Sequence, residues 1–201
     1  MNSNTFSTVQ KNLEARGYRV QCFSKAEDAV HYLDRTLDGQ TIGFGGSMTL
    51  EEMGLYEVLA PHNTVIGISG FPKVRPVSKF AYPAPFYISS VNGLAETGEM
   101  INIDGNCNRV ASIFYGHTKV YLIIGINKLA KDYESALYRA RHVAAPRNAQ
   151  RIGAKTPCAI SGDRCYDCQS PDRICRGLSV LWGKPMTGEF EILLIQEELG
   201  Y

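Results

Sequence analysis

No run of the sequence approaches the roughly 18 consecutive apolar residues of a membrane-spanning helix, so an anchor of that kind is not expected. The opening stretch, MNSNTFSTVQKNLEARGYRV, has neither the basic region nor the apolar core of a secretory signal. A cytoplasmic location is the expectation. An excess of one charge is missing too. The 21 Lys and Arg residues against 20 Asp and Glu leave a net charge of +1, which offers no basic field for nucleic acid. Internal repeats and low-complexity segments are absent. Nucleotide fingerprints are lacking as well. No Lys-Ser/Thr pair follows the glycine-rich stretch GFGGSMTLEE, which excludes a Walker loop. Met48 stands where a dinucleotide-binding G-x-G-x-x-G needs its last glycine.

What is present describes an ordinary globular chain. Its 201 residues are 44% apolar and 20% charged, enough to bury a full core without covalent staples. Phe6, Val9 and Leu13 share a helical face that ends near Gly17, and YRVQCF follows as a short strand. Ser24 with Glu27 and Thr49 with Glu52 have the spacing of capping boxes. TIGF, NTVIGIS, FYISSV, EMINIDGN, KVYLIIGI and EFEILLIQEELGY read as strands. The unbroken apolar run of KVYLIIGI suits the middle of a parallel sheet. Helices are expected over 108–115 and 132–143, with Pro146 opening another at its first position. Residues 70–85 hold Pro72, Pro76, Pro83 and Pro85 and should be irregular. Strands alternating with helices predict an open, mostly parallel α/β sheet with helices on both faces, in one domain over residues 1–201.

Four of the six cysteines crowd into CAISGDRCYDCQSPDRIC, spaced Cys158-x6-Cys165-x2-Cys168-x6-Cys175. Turn-forming residues fill the gaps, so this stretch cannot build a core of its own, and a metal would supply the cohesion. We read 156–177 as a metal-binding insertion. Tetrahedral thiolate ligation suits zinc or iron–sulfur. With only one C-x2-C pair the balance favours an iron–sulfur centre, 4Fe–4S by preference, with zinc as the alternative. Arg164, Arg173 and Arg176 lie near enough in sequence to offset thiolate charge. The plainer alternatives are disulfides or inert thiols. Cys22 reads as a core residue and Cys107 is given no role.

The glycine stretch follows a strand and leads into a helix. Gly43, Gly45 and Gly46 permit close approach to a ligand. The hydroxyls of Ser47 and Thr49 and the amides of the helix start can receive an anion. The plainer alternative is a tight turn. Downstream, Glu96 could face this loop as a base, nucleophile or hydroxyl ligand, with Thr97 beside it; otherwise it is a solvated loop residue. Asn106 and Arg109 are further anion-binding candidates, Arg109 as a bidentate clamp. The arginines at 139, 141, 147 and 151 either line an acidic ligand, balance a cluster's charge or form a solvated face. His117 and His142 read as structural.

GFGGSMTLEEMGL, NGLAETGEM, GNCNRVASIFYG and KVYLIIGINKL, in that order, resemble the lactate-utilisation (LUD) domain family, over about residues 5–200. RNAQRIGAKTPCAISGDRCYDCQSPDRICR resembles a subgroup with a cysteine-rich segment near its end. The resemblance implies a fold like that of ribose-phosphate isomerases and CoA transferases, with a ligand beside Gly43–Thr49 and an acidic residue near the place of Glu96. It also implies iron–sulfur partners and the oxidation of lactate. The expected function is an iron–sulfur oxidoreductase component that binds a small hydroxy or keto acid or related anion, with a redox partner protein. A transferase or isomerase with structural zinc, or a non-catalytic redox or assembly subunit, are the alternatives. Neither nucleic acid nor membrane is an expected partner, and self-association into a homo-oligomer is compatible with each reading.

Overall fold

The computed structural model describes residues 6–68 and 84–201. The expected irregular segment 70–85 falls almost wholly outside them. The chain opens with α1 (Ser7–Ala15), β1 (Arg19–Phe23) and α2 (Ala26–Thr36). Next come β2 (Thr41–Gly45), the short helices α3 (Met48–Glu52) and α4 (Leu55–Leu59), and β3 (Thr64–Ile68). Strands β4 (Phe86–Ser89), β5 (Gly93–Ala95) and β6 (Met100–Asp104) precede α5 (Asn108–Phe114) and β7 (Lys119–Gly125). The rest holds β8 (Leu129–Ala130), α6 (Tyr133–Arg139), α7 (Ala145–Arg151), α8 (Pro157–Ser161), β9 (Gly177–Leu181) and β10 (Glu189–Ile195).

Six of the described strands form a wholly parallel sheet in the order β1-β10-β7-β4-β2-β3. This is the expected α/β architecture. Because successive side chains of a strand point to opposite faces, β7 sends Val120, Leu122 and Ile124 into one core and Tyr121 and Ile123 into the other. The first core is closed by Val9 and Leu13 of α1, the second by Leu33 of α2 and Leu50, Leu55 and Leu59 of α3 and α4. Coverage on both faces is why the strand reads as one apolar run.

A second sheet, β8-β5-β6-β9, is mixed, with antiparallel β5–β6 and β6–β9 pairs. It claims EMINIDGN, which sequence reasoning placed in the main sheet. It packs on α6 through Ala95, Ile101, Ala136 and Ala140. The cysteine segment therefore enters before β9, a strand of this small sheet, and not directly before the last strand.

Other local expectations are corrected. Ser24 lies one residue too early to cap α2; Lys25 holds that position, and the Ala26 amide donates to Glu197 Oε2 at 3.0 Å. Ser47, not Thr49, precedes α3, and Thr49 is buried inside it. Pro146 is the second residue of α7, and it continues from α6 through a widened π turn, Ala140–Ala144. Such a turn accommodates the missing proline N–H. Cys22 is exposed, because β1 is the outer strand of its sheet. His117 is structural as expected: Nδ1 meets the Ala84 carbonyl at 2.6 Å and the ring stacks on Tyr87.

The small sheet meets α6 at a backbone contact. A Cβ on Gly93 would lie 2.5 Å from the Ala136 carbonyl oxygen, inside any tolerable distance, and neither backbone can step aside alone. Gly93→Ala is expected to lose about 1–3 kcal/mol, the usual range for overpacking. Urea unfolding should show a lower midpoint with an unchanged slope.

Candidate functional site

In an open α/β sheet, ligands gather beyond the carboxyl ends of the strands. Here Gly46 and Ser47 follow β2, Ser90 and Asn92 follow β4, and Lys128 follows β7, the three strands being neighbours. Together they line a cavity of about 480 Å³. Asp104, Asn106, Asn108, Arg109, Asn148, Arg151 and Tyr201 supply other walls, and Arg173, Ile174 and Arg176 of the cysteine segment supply another. Cationic residues dominate: Arg109, Lys128, Arg151, Arg173 and Arg176 face only Glu51 and Asp104 as acids. Asp104 is engaged as a cap, its carboxylate accepting the Asn106, Cys107 and Val110 amides at 3.1–3.2 Å.

Lys128 is the group at the floor that sequence reasoning missed. It is 3% exposed. Its Nζ lies 2.7 Å from Thr49 Oγ1 and 2.8 Å from Ser90 Oγ. The Thr49 hydroxyl donates to the Leu199 carbonyl at 3.2 Å, so its oxygen is an acceptor for the amine. Among the described residues no carboxylate lies within ion-pair distance of Nζ. Burial, with Arg139 and Arg109 as like charges, pushes its pKa down to about 7, and the charge of Glu52 opposes this weakly. The signal was there: a lysine two residues beyond the clearest strand, at its carboxyl end.

The expected anion-binding residues divide. Gly46, Ser47, Asn106 and Arg109 come together on the cavity. Arg109 does not fit the role of free clamp. Its guanidinium donates to the Ser90 and Ile103 carbonyls and to the side-chain oxygens of Asn102 and Asn92, all within 3.2 Å. It ties the β4–β5 connection to β6 and contributes positive charge and position. Thr49 lies beneath the cavity and reaches it through Lys128. Gly43 and Gly45 stay within β2 and serve packing: a Cβ on Gly45 would fall 2.2 Å from the Tyr87 hydroxyl, and one on Gly43 3.1 Å from the Tyr87 ring. Helix α3 has only five residues, so the side chains, not the helix start, make the site basic.

Glu96 and Thr97 are not brought to this site. Both sit at the β5–β6 turn against α1, where Asn12 Nδ2 donates to the Glu96 carbonyl at 2.7 Å and the Thr97 hydroxyl donates to Glu99. The turn carries them to the far end of β5, away from the carboxyl ends of β2, β4 and β7.

The four cysteines of the late segment line one small cavity, together with Arg141, Thr156 and Arg173. Cys158 is the second residue of α8, with the Thr156 hydroxyl 3.3 Å from its sulfur. Asp167, in left-handed backbone (φ 49°), turns the chain between Cys165 and Cys168, and its amide donates to Cys165 Sγ at 3.3 Å. Arg173 Nε donates to Cys175 Sγ at 3.2 Å and its Nη1 to the Cys168 carbonyl at 2.9 Å. Arg141 bonds Cys165 and pairs with Asp167 at 3.0 Å. Among the described residues all cysteines are free thiols, and no group of three or more His, Cys, Asp or Glu side chains is placed to hold a metal ion. Ala145, Arg173 and Ile174 line both cavities. Of the basic helix, Arg141 faces the cysteines and Arg151 the larger cavity, while Arg139 is half-buried and donates to the Asn127 and Asn92 carbonyls at 2.6 Å. Arg164 stacks over Tyr166. No described helix is long and apolar enough to cross a membrane.

A family model described as LUD domain matches residues 7–195. The chain is similar in structure to a DUF162 family protein from Deinococcus radiodurans, with a TM-score of 0.56 at 9% identity over 96% of this chain and 97% of that one. It is partly similar to ribose 5-phosphate isomerase from Plasmodium falciparum, with a TM-score of 0.37 at 15% identity over 53% and 52% of the two chains. The search of curated proteins found no match.

Lys128 makes stability depend on pH. Between about 7 and the ordinary lysine range its amine is neutral when folded and protonated when unfolded. The unfolded state then binds the extra proton, so stability rises with pH through that window, by up to about 1.4 kcal/mol per pH unit. The cost of burying the amine is complete below pH 7 and vanishes above the ordinary lysine value. Lys128→Met should lack this rise, so the stability difference between wild type and variant is expected to change steadily from pH 7 to pH 9 in denaturant titrations.

Proposed function

The chain belongs to the LUD domain family, and from that premise we propose that it is an iron–sulfur protein of the lactate-utilisation type, an oxidoreductase component that binds a small hydroxy or keto acid. The observation that carries this reading is the shared wall. One cavity is lined by four cysteines, the other is basic, and Ala145, Arg173 and Ile174 belong to both. The donor set supports a cluster. Cys158, Cys165 and Cys175 each have an N–H or O–H group within 3.2–3.3 Å of sulfur, and hydrogen bonds to sulfur tune the potential of such centres. The single C-x2-C pair, with six residues between it and each flanking cysteine, favours a cluster over a single zinc ion.

Cys158, Cys165, Cys168 and Cys175 would hold the cluster, which supplies one-electron redox chemistry when bound. The chain's own residues do the rest. Arg151, which also donates to Asn148 and the Tyr201 hydroxyl, and Arg176, which also donates to the Arg173 and Pro171 carbonyls, stand at the cavity and would attract the carboxylate by charge more than by a bidentate clamp. Arg173 spends its donors on Cys175, Cys168 and Asp167, and so fixes the distance between the two cavities. Oxidising a hydroxy acid to its keto acid releases two electrons and two protons, and a redox partner protein would take the electrons onward.

Protein purified without oxygen should be brown and contain iron and acid-labile sulfide. Cys168→Ser should lose the metal and destabilise the C-terminal region. Colourless protein with one zinc per chain would replace the cluster with a structural ion, and unchanged metal content in Cys168→Ser would remove that cysteine from the ligand set.

A further inference from the structure

The family reading leaves Lys128 without a role, and three observations constrain what it does. The first is placement: the amine is at the floor of the basic cavity, beyond the carboxyl end of the central strand β7. The second is company. Two hydroxyl oxygens lie within 2.8 Å, and among the described residues the carboxylate of Glu52 acts on the amine more weakly than the like charges of Arg139 and Arg109. A lysine that served as a structural cation would have a carboxylate partner, as Lys119 does in Glu191 at 2.6 Å. The third is polarity. The Thr49 hydroxyl gives its hydrogen to the Leu199 carbonyl and accepts from the amine, which leaves the Ser90 hydroxyl as the group placed to exchange a proton with it. Ser90 is held by the Arg109 guanidinium, which donates to its carbonyl at 3.0 Å. A buried amine with no counter-ion is disposed to be neutral, and a neutral lysine amine at a ligand cavity is a nucleophile toward carbonyls.

We infer that Lys128 condenses with the carbonyl of a small 2-oxo acid held in the cavity, forming an imine at Nζ. This rests on the keto-acid reading of the site and adds a covalent step to it. In that step Nζ bonds to the carbonyl carbon, a proton moves through the Ser90 hydroxyl to the resulting oxygen, and that oxygen leaves as water with both amine hydrogens accounted for. No oxidant or reductant is consumed. The cationic wall holds the carboxylate while the carbonyl end reaches the floor. A lowered lysine pKa, about 7, agrees with the geometry, since a free amine is then available near neutrality.

The test uses the full chain, with pyruvate as the probe and lactate, which has no carbonyl, as the control. Calorimetric titration reads binding of each. Sodium cyanoborohydride then traps any imine, and mass spectrometry of the intact chain and of its peptides reads the product. The expected result is a gain in mass of the oxo acid less one oxygen, located on Lys128, at least tenfold above the lactate control. Ser90→Ala should slow trapping at least tenfold with the adduct still on Lys128. Because the peptide map assigns the residue in the unaltered protein, no variant needs to fold for the result to count. Pyruvate that binds without an adduct, or with adducts only on other lysines, overturns the imine and leaves the keto-acid site standing. Neither acid binding at all overturns both.

Discussion

Three basic groups, the buried Lys128 and the half-buried Arg109 and Arg139, stand around the ends of β2, β4 and β7, and among the described residues neither Lys128 nor Arg139 has a carboxylate within ion-pair distance. Arg109, with Asp104 at 3.8 Å, is held mainly by carbonyl and amide oxygens. Arg139 is held by the carbonyls of Asn127 and Asn92 and its pKa falls to about 10 through burial and the charge of Arg147. Removing charge from water without an opposite charge is expensive. Neutral oxygens offset part of that cost and leave a positive field in the cavity. An anion placed there recovers what the folded chain gives up. The same arginines fix the backbone that forms the walls, so charge and shape have one source.

The cysteine segment is arranged on the same logic. It contains little apolar surface that the core can use: Ile160 is 81% exposed and Tyr166 45%. Its order comes from polar contacts to the sulfurs and to Asp167, with Arg141 reaching across from the π turn and Arg173 from within the segment. Under the proposed reading, a bound inorganic centre would add cohesion to a loop so built. The segment also completes the larger cavity through Arg173, Ile174 and Arg176.

The parallel sheet was legible in the sequence because strands buried on both faces carry continuous apolar runs, as KVYLIIGI and EFEILLIQEELGY do. The second sheet was not. β5 has only three residues and β8 two, and β6 pairs with β9, about eighty residues downstream, which GLSVL alone does not announce. The same limit governs the site. That the four cysteines would gather was legible from their spacing, and Gly46, Ser47, Asn106 and Arg109, which local composition singled out, line the larger cavity. Glu96 was misplaced because loop composition says nothing about which end of the sheet a turn occupies. Gly43 and Gly45 looked like ligand glycines; what they accommodate is Tyr87, a residue on the neighbouring strand. Lys128 escaped notice because its significance lies in what is missing around it, a carboxylate, and that is a property of packing.

Under the proposed reading the two cavities are coupled through Arg173. Its Nε and Nη1 hold Cys175 and Cys168, its Nη2 pairs with Asp167 at 3.2 Å, and the residue itself lines the larger cavity. Thiolates that bind an inorganic centre keep negative charge on the sulfurs, which favours the position Arg173 now holds. Without that charge its ties are the Cys168 and Cys175 carbonyls and the exposed Asp167, a pair that solvent screens. Occupancy of the cysteine cavity would then add to how firmly one wall of the larger cavity stands. The cluster could govern ligand affinity in this way even without exchanging an electron with the ligand.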